Sequence, residues 1–485
     1  AGKLAYTEKD TYDKYGRLIK QELHDGDESI VKEYEYDYAD RVTKETDGNG
    51  GVTLYEYNYA GQVTKQTNAL GDSVTTVYDM VGRELSVTDA KGNTSTTDYD
   101  KLGRAIKAIT PFNSNTGGEV KTYYDKNSNT VKTAVKRSSS LYSTTEYKYD
   151  VMGNNVAEIT ENGDSDIVTQ YEYDVAGRVM KMITGLTEYS ETPAGGAVTQ
   201  CEYNSSGFVS KVTDPMGGVE TYNEYDHAGN VLSVTDRNSN TIRNTYSAYG
   251  LKKSRSESSP ETKEYTYDGL GHVIKSSSVN KDGETVEETY SYDGLGRLTL
   301  STGNNGDTQS YSYDSNSNLM SYELNGEGEN EVSYEYDALN RLTKLTNNGI
   351  ITTYEYDENG NLLKKEQDNG VSTEYVYNDA GLVTSLMTMK GNDVYTSSTV
   401  SYLLNGMISA VNLSGNAKWY NYDIAGRLKE ELVNSGTGIP MYANYKYDAY
   451  GNRTEKSSYA DNGETIDTTV YSYDLNNRLI SESLE

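Results

Sequence analysis

Residues 290–298 read Tyr290-Ser291-Tyr292-Asp293-Gly294-Leu295-Gly296-Arg297-Leu298. Tyr290 and Tyr292 stand two apart, so in an extended chain both rings lie on one face. Asp293 opens a turn, because its carboxylate bonds backbone N–H groups ahead of it. Gly296 supplies the positive φ that ends a three-residue hairpin loop. Leu298 then begins the return strand. The stretch predicts a β-hairpin.

The pattern recurs from one end of the chain to the other. Anchor tyrosines run from Tyr12 to Tyr473, 21 of them over 20 intervals, with a mean period of about 23 residues. Asp follows the anchor in 16 of 21 copies, and Gly stands four positions after it in 16, too regular for chance. Arg comes next in nine. Clear copies are Tyr36-Asp37, then Tyr171 and Tyr173 with Asp174, Gly177 and Arg178, and Tyr420 and Tyr422 with Asp423, Gly426 and Arg427. Tyr290, Tyr292, Asp293, Gly296 and Arg297 complete the set. Where Gly is missing the chain has Asp40, Ser128, Ser317, Asn340 and Asn477. Asn and Asp are the residues that next best tolerate left-handed backbone. A second turn rich in Gly, Asn and Asp closes each repeat, as in Asp47-Gly48-Asn49-Gly50.

Composition alone would mislead. Leu, Ile, Val and Phe number 32, 16, 34 and 2, or 84 of 485 residues, and the net charge is −30. So few strong apolar residues with so much charge reads as disorder. The 48 Tyr, against 2 Phe and 1 Trp, argue the other way. One hairpin is marginal in water, but stacked hairpins bury each other's faces. Tyr suits such a thin core, with a large ring and a polar tip. The fold expected is all-β: tandem hairpins over 1–485 in one array, about 42 strands in a long antiparallel sheet. At about 4.8 Å per strand its contour is on the order of 200 Å, and long sheets coil. A curved, hollow, open spiral of one to two turns follows, with two free sheet edges.

Several functions are disfavoured. A pI near 4.5 argues against nucleic acid, whose phosphates need clustered Lys and Arg. No apolar run of about 18 residues predicts a membrane span, and no signal peptide is visible in this stretch. Cys201 is alone, so no disulfide framework is expected. His24, His227 and His272 lack ligand spacing, and the last two fall in turns as exposed substituents. The acidic turns Asp25-Gly26-Asp27 and Asn162-Gly163-Asp164-Ser165-Asp166 are weak Ca²⁺ candidates against ordinary turn chemistry. No nucleophile elbow or phosphate loop appears. No cofactor, metal or catalytic residue is expected. Trp419 precedes the Tyr420/Tyr422 pair and is either a cross-strand packing residue or a sugar-stacking platform. Asn93, Asn204, Asn412 and Asn452 open N-x-S/T triplets. The negative charge reads first as solubility for a long β array. An acidic concave face that holds cargo is the sharper alternative.

The T-x-Y-x-Y-D-x-x-G-R-L pattern resembles the YD repeat of the Rhs family. That family includes bacterial Rhs and wall-associated polymorphic toxins, the C components of Tc toxins, and teneurins. The resemblance implies a sheet that spirals into a hollow shell, enclosing a C-terminal toxin in the bacterial members. It also implies a secreted or cell-surface protein. Asp214-Pro215-Met216-Gly217 only superficially matches the family's D-P-x-G core segment, since it sits mid-array where a second turn is expected. No autoprotease residue is carried over. The function expected is a non-catalytic scaffold with a toxin polypeptide as partner. The rival is an adhesion module in which repeated Tyr binds a surface glycan, the cell wall or a protein.

Overall fold

The computed structural model describes residues 7–25, 28–113, 116–163, 165–325, 330–434, 441–460 and 463–485. Among them every regular element is a β-strand, 42 in one antiparallel sheet. Each anchor Tyr closes the first strand of its hairpin, as in Glu28–Tyr36, Ile167–Tyr173, Thr285–Tyr292 and Asn416–Tyr422. Only Thr241–Ser247 runs one residue past its anchor, Tyr246.

The turn is the one the motif predicts. Asp293 N–H donates to the Arg297 carbonyl at 2.9 Å, and Gly296 N–H to the Asp293 carbonyl at 3.1 Å. Beyond it the register slips: Ser291 faces Leu300, but Tyr292 faces Leu298. This is a three-residue loop whose left-handed last position makes a bulge. The residue four after the anchor has positive φ in all 21 repeats, including Asp40, Ser128, Ser317, Asn340 and Asn477 at 60–70°.

The alternation gives the sheet two unlike faces. One carries the paired tyrosines. The other carries the residue between them, which often meets a Lys across the hairpin. Lys44–Glu35, Lys181–Glu172, Lys211–Glu202 and Lys344–Glu335 close at 2.7–2.9 Å. Such exposed pairs contribute at most about 1 kcal/mol each, and each neutralises one carboxylate on this face.

By packing, the chain falls into two units. The first comprises Ala1–Thr94, Glu224–Val234 and Ser239–Glu374; the second comprises Ser95–Asn223, Thr235–Asn238 and Tyr375–Glu485. Within the first unit, closing turns of early repeats meet Tyr-Asp turns of late ones. Asn49 Nδ2 donates to Asp314 Oδ2 at 2.9 Å, 265 residues away. Lys91 Nζ bonds Asp357 Oδ2 at 3.0 Å, and Asn359 Nδ2 bonds Asp89 Oδ2 at 2.7 Å. Within the second unit the same two turn classes meet. Ser143 Oγ donates to the Ile424 carbonyl at 2.8 Å, and the Leu404 N–H to the Arg137 carbonyl at 3.1 Å. The buried Arg137 guanidinium donates to the Asp423 carbonyl.

The apolar core is small. Val168, Ile183 and Leu186 are buried, with Ile159, Tyr189 and Val198 packed around them. Val168 faces Ile159, and Ile183 faces Val198, so the cluster lies on the face opposite the paired tyrosines. Elsewhere burial is spread thinly over ring faces and aliphatic stems, as a Leu-poor repeat requires.

Candidate functional site

The motif side chains form a relay from each repeat to the next. Asp293 Oδ1 accepts the N–H groups of Leu295 and Arg297 at 3.0 and 2.9 Å, which fixes the turn. Its Oδ2 takes Arg297 Nε at 2.6 Å. The held guanidinium then reaches forward. Nη1 donates to the Asp314 carbonyl at 2.9 Å, and the group lies 4.9 Å from the Tyr313 ring centroid. Tyr313 Oη reaches back and donates to the Leu298 carbonyl at 2.9 Å. One anchor, one Asp and one Arg thus tie two hairpins together in both directions.

The copies named from sequence repeat this geometry. Tyr36 Oη donates to Leu18 O at 2.7 Å, Tyr173 to Asn155 O at 2.7 Å, Tyr292 to Val273 O at 2.7 Å, and Tyr422 to Ile408 O at 2.7 Å. Arg178 Nε bonds Asp174 Oδ2 at 2.7 Å and lies 4.3 Å from the Tyr203 ring; Arg427 bonds Asp423 at 2.7 Å and lies 4.9 Å from Tyr447. Gly177 and Gly426 hold φ of 76° and 89°. The inner tyrosines contribute ring area: Tyr171 packs at 6.5 Å from Tyr173, while Tyr290 Oη bonds Glu288 Oε2 at 2.9 Å. Tyr420 faces Glu431 across its hairpin.

The hydroxyl explains why the anchor is Tyr and not Phe. Replacing Tyr313 with Phe is expected to cost about 0.5–1.5 kcal/mol, because the ring stays but the Leu298 carbonyl loses its donor. Hydrogen exchange across Leu298–Gly303 and Thr308–Tyr313 would rise while distant repeats stay protected.

His272 differs from expectation. It stands where other repeats have Arg, and it is half-buried. Its Nδ1 lies 2.9 Å from Asp268 Oδ2, and its ring stacks on Tyr292 at 4.9 Å. An imidazole there copies part of the guanidinium's work. His272→Arg should restore the second bond and leave stability unchanged or raised, as a thermal midpoint would register. His227 is exposed in its turn, and His24 is a strand residue facing Thr7 and Ser29.

Gly26, Asp27 and Asp164 lie outside the described residues, so both acidic-turn candidates do too in part. Asn162 Oδ1 accepts the Ala425 N–H at 3.3 Å. Among the described residues no group of three or more His, Cys, Asp or Glu is placed to hold a metal, and no helix is long and apolar enough to cross a membrane. Asp214 caps a closing turn, accepting the Met216 and Gly218 N–H groups at 2.9 Å, and pairs with Arg237 at 2.9 Å.

Sequence reasoning missed the Lys–Glu ladder, whose signal was a Glu between paired tyrosines with Lys nine residues on. It also missed the turn-to-turn partners Asn49, Lys91 and Asn359. Nothing local distinguishes those from other polar turn residues.

Comparison with known proteins bears on the array. Residues 12–52, 36–73 and 190–241 match the family model described as RHS Repeat, and residues 261–395 match Teneurin YD-shell. The chain is 32% identical over 197 residues to the tRNA3(Ser)-specific nuclease WapA of Bacillus spizizenii, covering 40% of this chain and 8% of that one. It is 31% identical over 197 residues to the tRNA nuclease WapA of Bacillus subtilis, with the same coverage. The chain therefore spans about a twelfth of these relatives. Among solved structures, TcdB2-TccC3-TEV is 16% identical with a TM-score of 0.41, covering 98% of this chain and 26% of that one. The Photorhabdus luminescens Tc holotoxin pore gives 16% and 0.43, covering 97% and 26%. By these matches the chain is a repeat protein of the YD, or Rhs, type, with the RHS Repeat model over residues 12–73 and 190–241 and the Teneurin YD-shell model over residues 261–395.

Proposed function

We propose that this chain is a non-catalytic scaffold: one continuous array over 1–485 that forms a shell segment and encloses or presents a C-terminal polypeptide cargo. The relay of Asp293, Arg297 and Tyr313 is the observation that supports it. The motif's charged and hydroxyl groups are occupied in holding hairpin to hairpin, which is scaffold chemistry. The same occupancy disfavours adhesion through the repeated anchors, whose hydroxyls already have backbone acceptors. A sheet with a Tyr face and a face carrying Lys–Glu pairs, poor in Leu, offers an unfolded cargo few strong apolar anchors. The secreted or cell-surface setting of such toxins, and a toxin cargo, belong to the same proposal.

The test joins the chain to a C-terminal reporter polypeptide and places photo-crosslinkers in turn at Tyr-face and ladder-face positions. Containment predicts capture of the reporter from one face only. Equal capture from both faces, or from neither, would refute it.

A further inference from the structure

Within the first unit the turn-to-turn seam keeps step. The Asp47 and Asp89 closing turns stand two repeats apart, and so do the Asp314 and Asp357 turns. Asn49 meets Asp314 and Lys91 meets Asp357, so the two rows of turns advance together. Apolar turn tips take part in the seam. Leu295 and Leu339, each the second residue after its turn Asp, are half-buried. Leu295 shares a recess of about 490 Å³ with Leu23 and Ile30, which face each other beside an early closing turn.

The early Tyr-Asp turns of the same unit present larger apolar tips, and these are uncovered. Tyr38, Tyr59 and Met80 are fully exposed, and Tyr15 is largely so. Single exposed apolar residues are ordinary. Here four successive turns each carry one at the tip, about two strand spacings or 10 Å apart, which makes a row. At about 150 Å² per tip the row offers about 600 Å² to a partner. Counted on both partners that is about 1,200 Å², the lower end for a specific interface. The late closing turns are the matching uncovered set. Asn304, Asn305, Asn348, Asp368 and Asn369 are exposed, and Ile350 is more than half exposed beside its turn.

We infer that the row of Tyr15, Tyr38, Tyr59 and Met80 docks the late closing turns of a second copy of this chain. The contact continues between copies the seam that each copy makes within itself, with the same two turn classes opposed. Ile350 then stands to the Tyr row as Ile30 stands to Leu295. Because the two rows are unlike, a copy that seats its closing turns on a neighbour leaves its own Tyr row free. The association is therefore heterologous and open-ended. A net charge of −30 on every copy opposes it. Salt screens that repulsion and leaves the apolar contact intact. The inference is independent of cargo containment, so either can fail without the other.

Sedimentation velocity over the micromolar range tests this. The mean sedimentation coefficient of the parent chain should climb with concentration past the dimer, and added salt should strengthen the climb. The double variant Tyr38→Ser, Tyr59→Ser should weaken association at least tenfold with an unchanged circular dichroism spectrum, since both side chains stand in solvent. Ile350→Asp, on the opposite row, should do the same, with Ile350→Ser in its place if the Asp variant loses its fold. Each variant keeps one intact row, so mixing the two should give a 1:1 pair that grows no further. A parent chain that stays monomeric throughout overturns the inference. So does association that ignores both variants, that salt weakens, or that the mixture fails to restore as a pair. Flotation of the parent chain with phosphatidylcholine vesicles that depends on Tyr38 and Tyr59 would also overturn it, by assigning the row to a lipid surface.

Discussion

Replacing Ile183 with alanine is expected to open the strands Ile167–Tyr173, Val179–Leu186 and Ala197–Tyr203 before any other part of the second unit. Ile183 is 2% exposed and packs with the fully buried Val168 and with Leu186. Truncating a buried Ile costs about 2–5 kcal/mol, since the transfer term and the residual cavity add. In a protein whose other contacts are half-exposed rings, little else nearby absorbs that loss. In a repeat array the effect stays local, because each hairpin contacts chiefly its neighbours. Hydrogen exchange should therefore accelerate across these strands while the 290–313 repeats keep their protection. Ile183→Val should cost about 0.5–1.5 kcal/mol in the same place. A uniform change along the chain would contradict the account.

Acid is expected to loosen the array in a sequence-specific order. Asp37 and Asp174 sit below the ordinary carboxylate value of 3.8, first because Arg41 and Arg178 donate to them and then because turn N–H groups do. The backbone N–H of the following Arg is the leading cause for Asp79, Asp100 and Asp474. For Asp150 and Asp226 it is the amide of Asn154 and Asn230. A folded pKa below the unfolded one gives stability that is fully present above the unfolded value. That stability is lost as the pH falls through the folded values. Loosening should thus begin below about pH 4 and deepen with further acid. Three repeats carry an internal control. Asn58, Asn204 and Asn378 replace the turn Asp, and their neutral amides still accept the same N–H groups at 2.9–3.1 Å. Pepsin, active in acid, should cut near Asp-anchored turns before Asn-anchored ones. Cleavage that ignores this distinction would show that the turn carboxylates do not govern acid stability.

Much of the fold was legible because its rules are local. Period-two tyrosines and a left-handed residue four positions on determine a hairpin within about ten residues. The substitutes Asp40, Ser128, Ser317, Asn340 and Asn477 could be read the same way. The small core was less legible, because Val168 and Ile183 look like any other strand aliphatics until Tyr189 and Leu186 are placed over them. The relay was half visible: Asp and Arg were conspicuous in the pattern, but the acceptors Leu298 and Val273 take part through backbone carbonyls, which carry no sequence signature. Trp419 stood out as a single residue. Its neighbours Leu432 and Tyr442 did not, because cross-strand register decides which side chains line up.

The turn-to-turn contacts join partners that occur once in every repeat. Asn49 meets Asp314 across 265 residues, yet each neighbouring hairpin offers a turn of the same two classes. Excising residues 58–78, one whole repeat, would shift the Asn49 turn by one position against its late partner and leave it facing an equivalent group, while the Lys91–Asp357 pair, which lies wholly beyond the cut, would keep its spacing. Excising half a repeat would exchange the two classes and oppose like with like. Length in this protein is therefore quantised. Insertions and deletions that respect the hairpin unit move the alignment by one notch, and those that do not throw it out of phase.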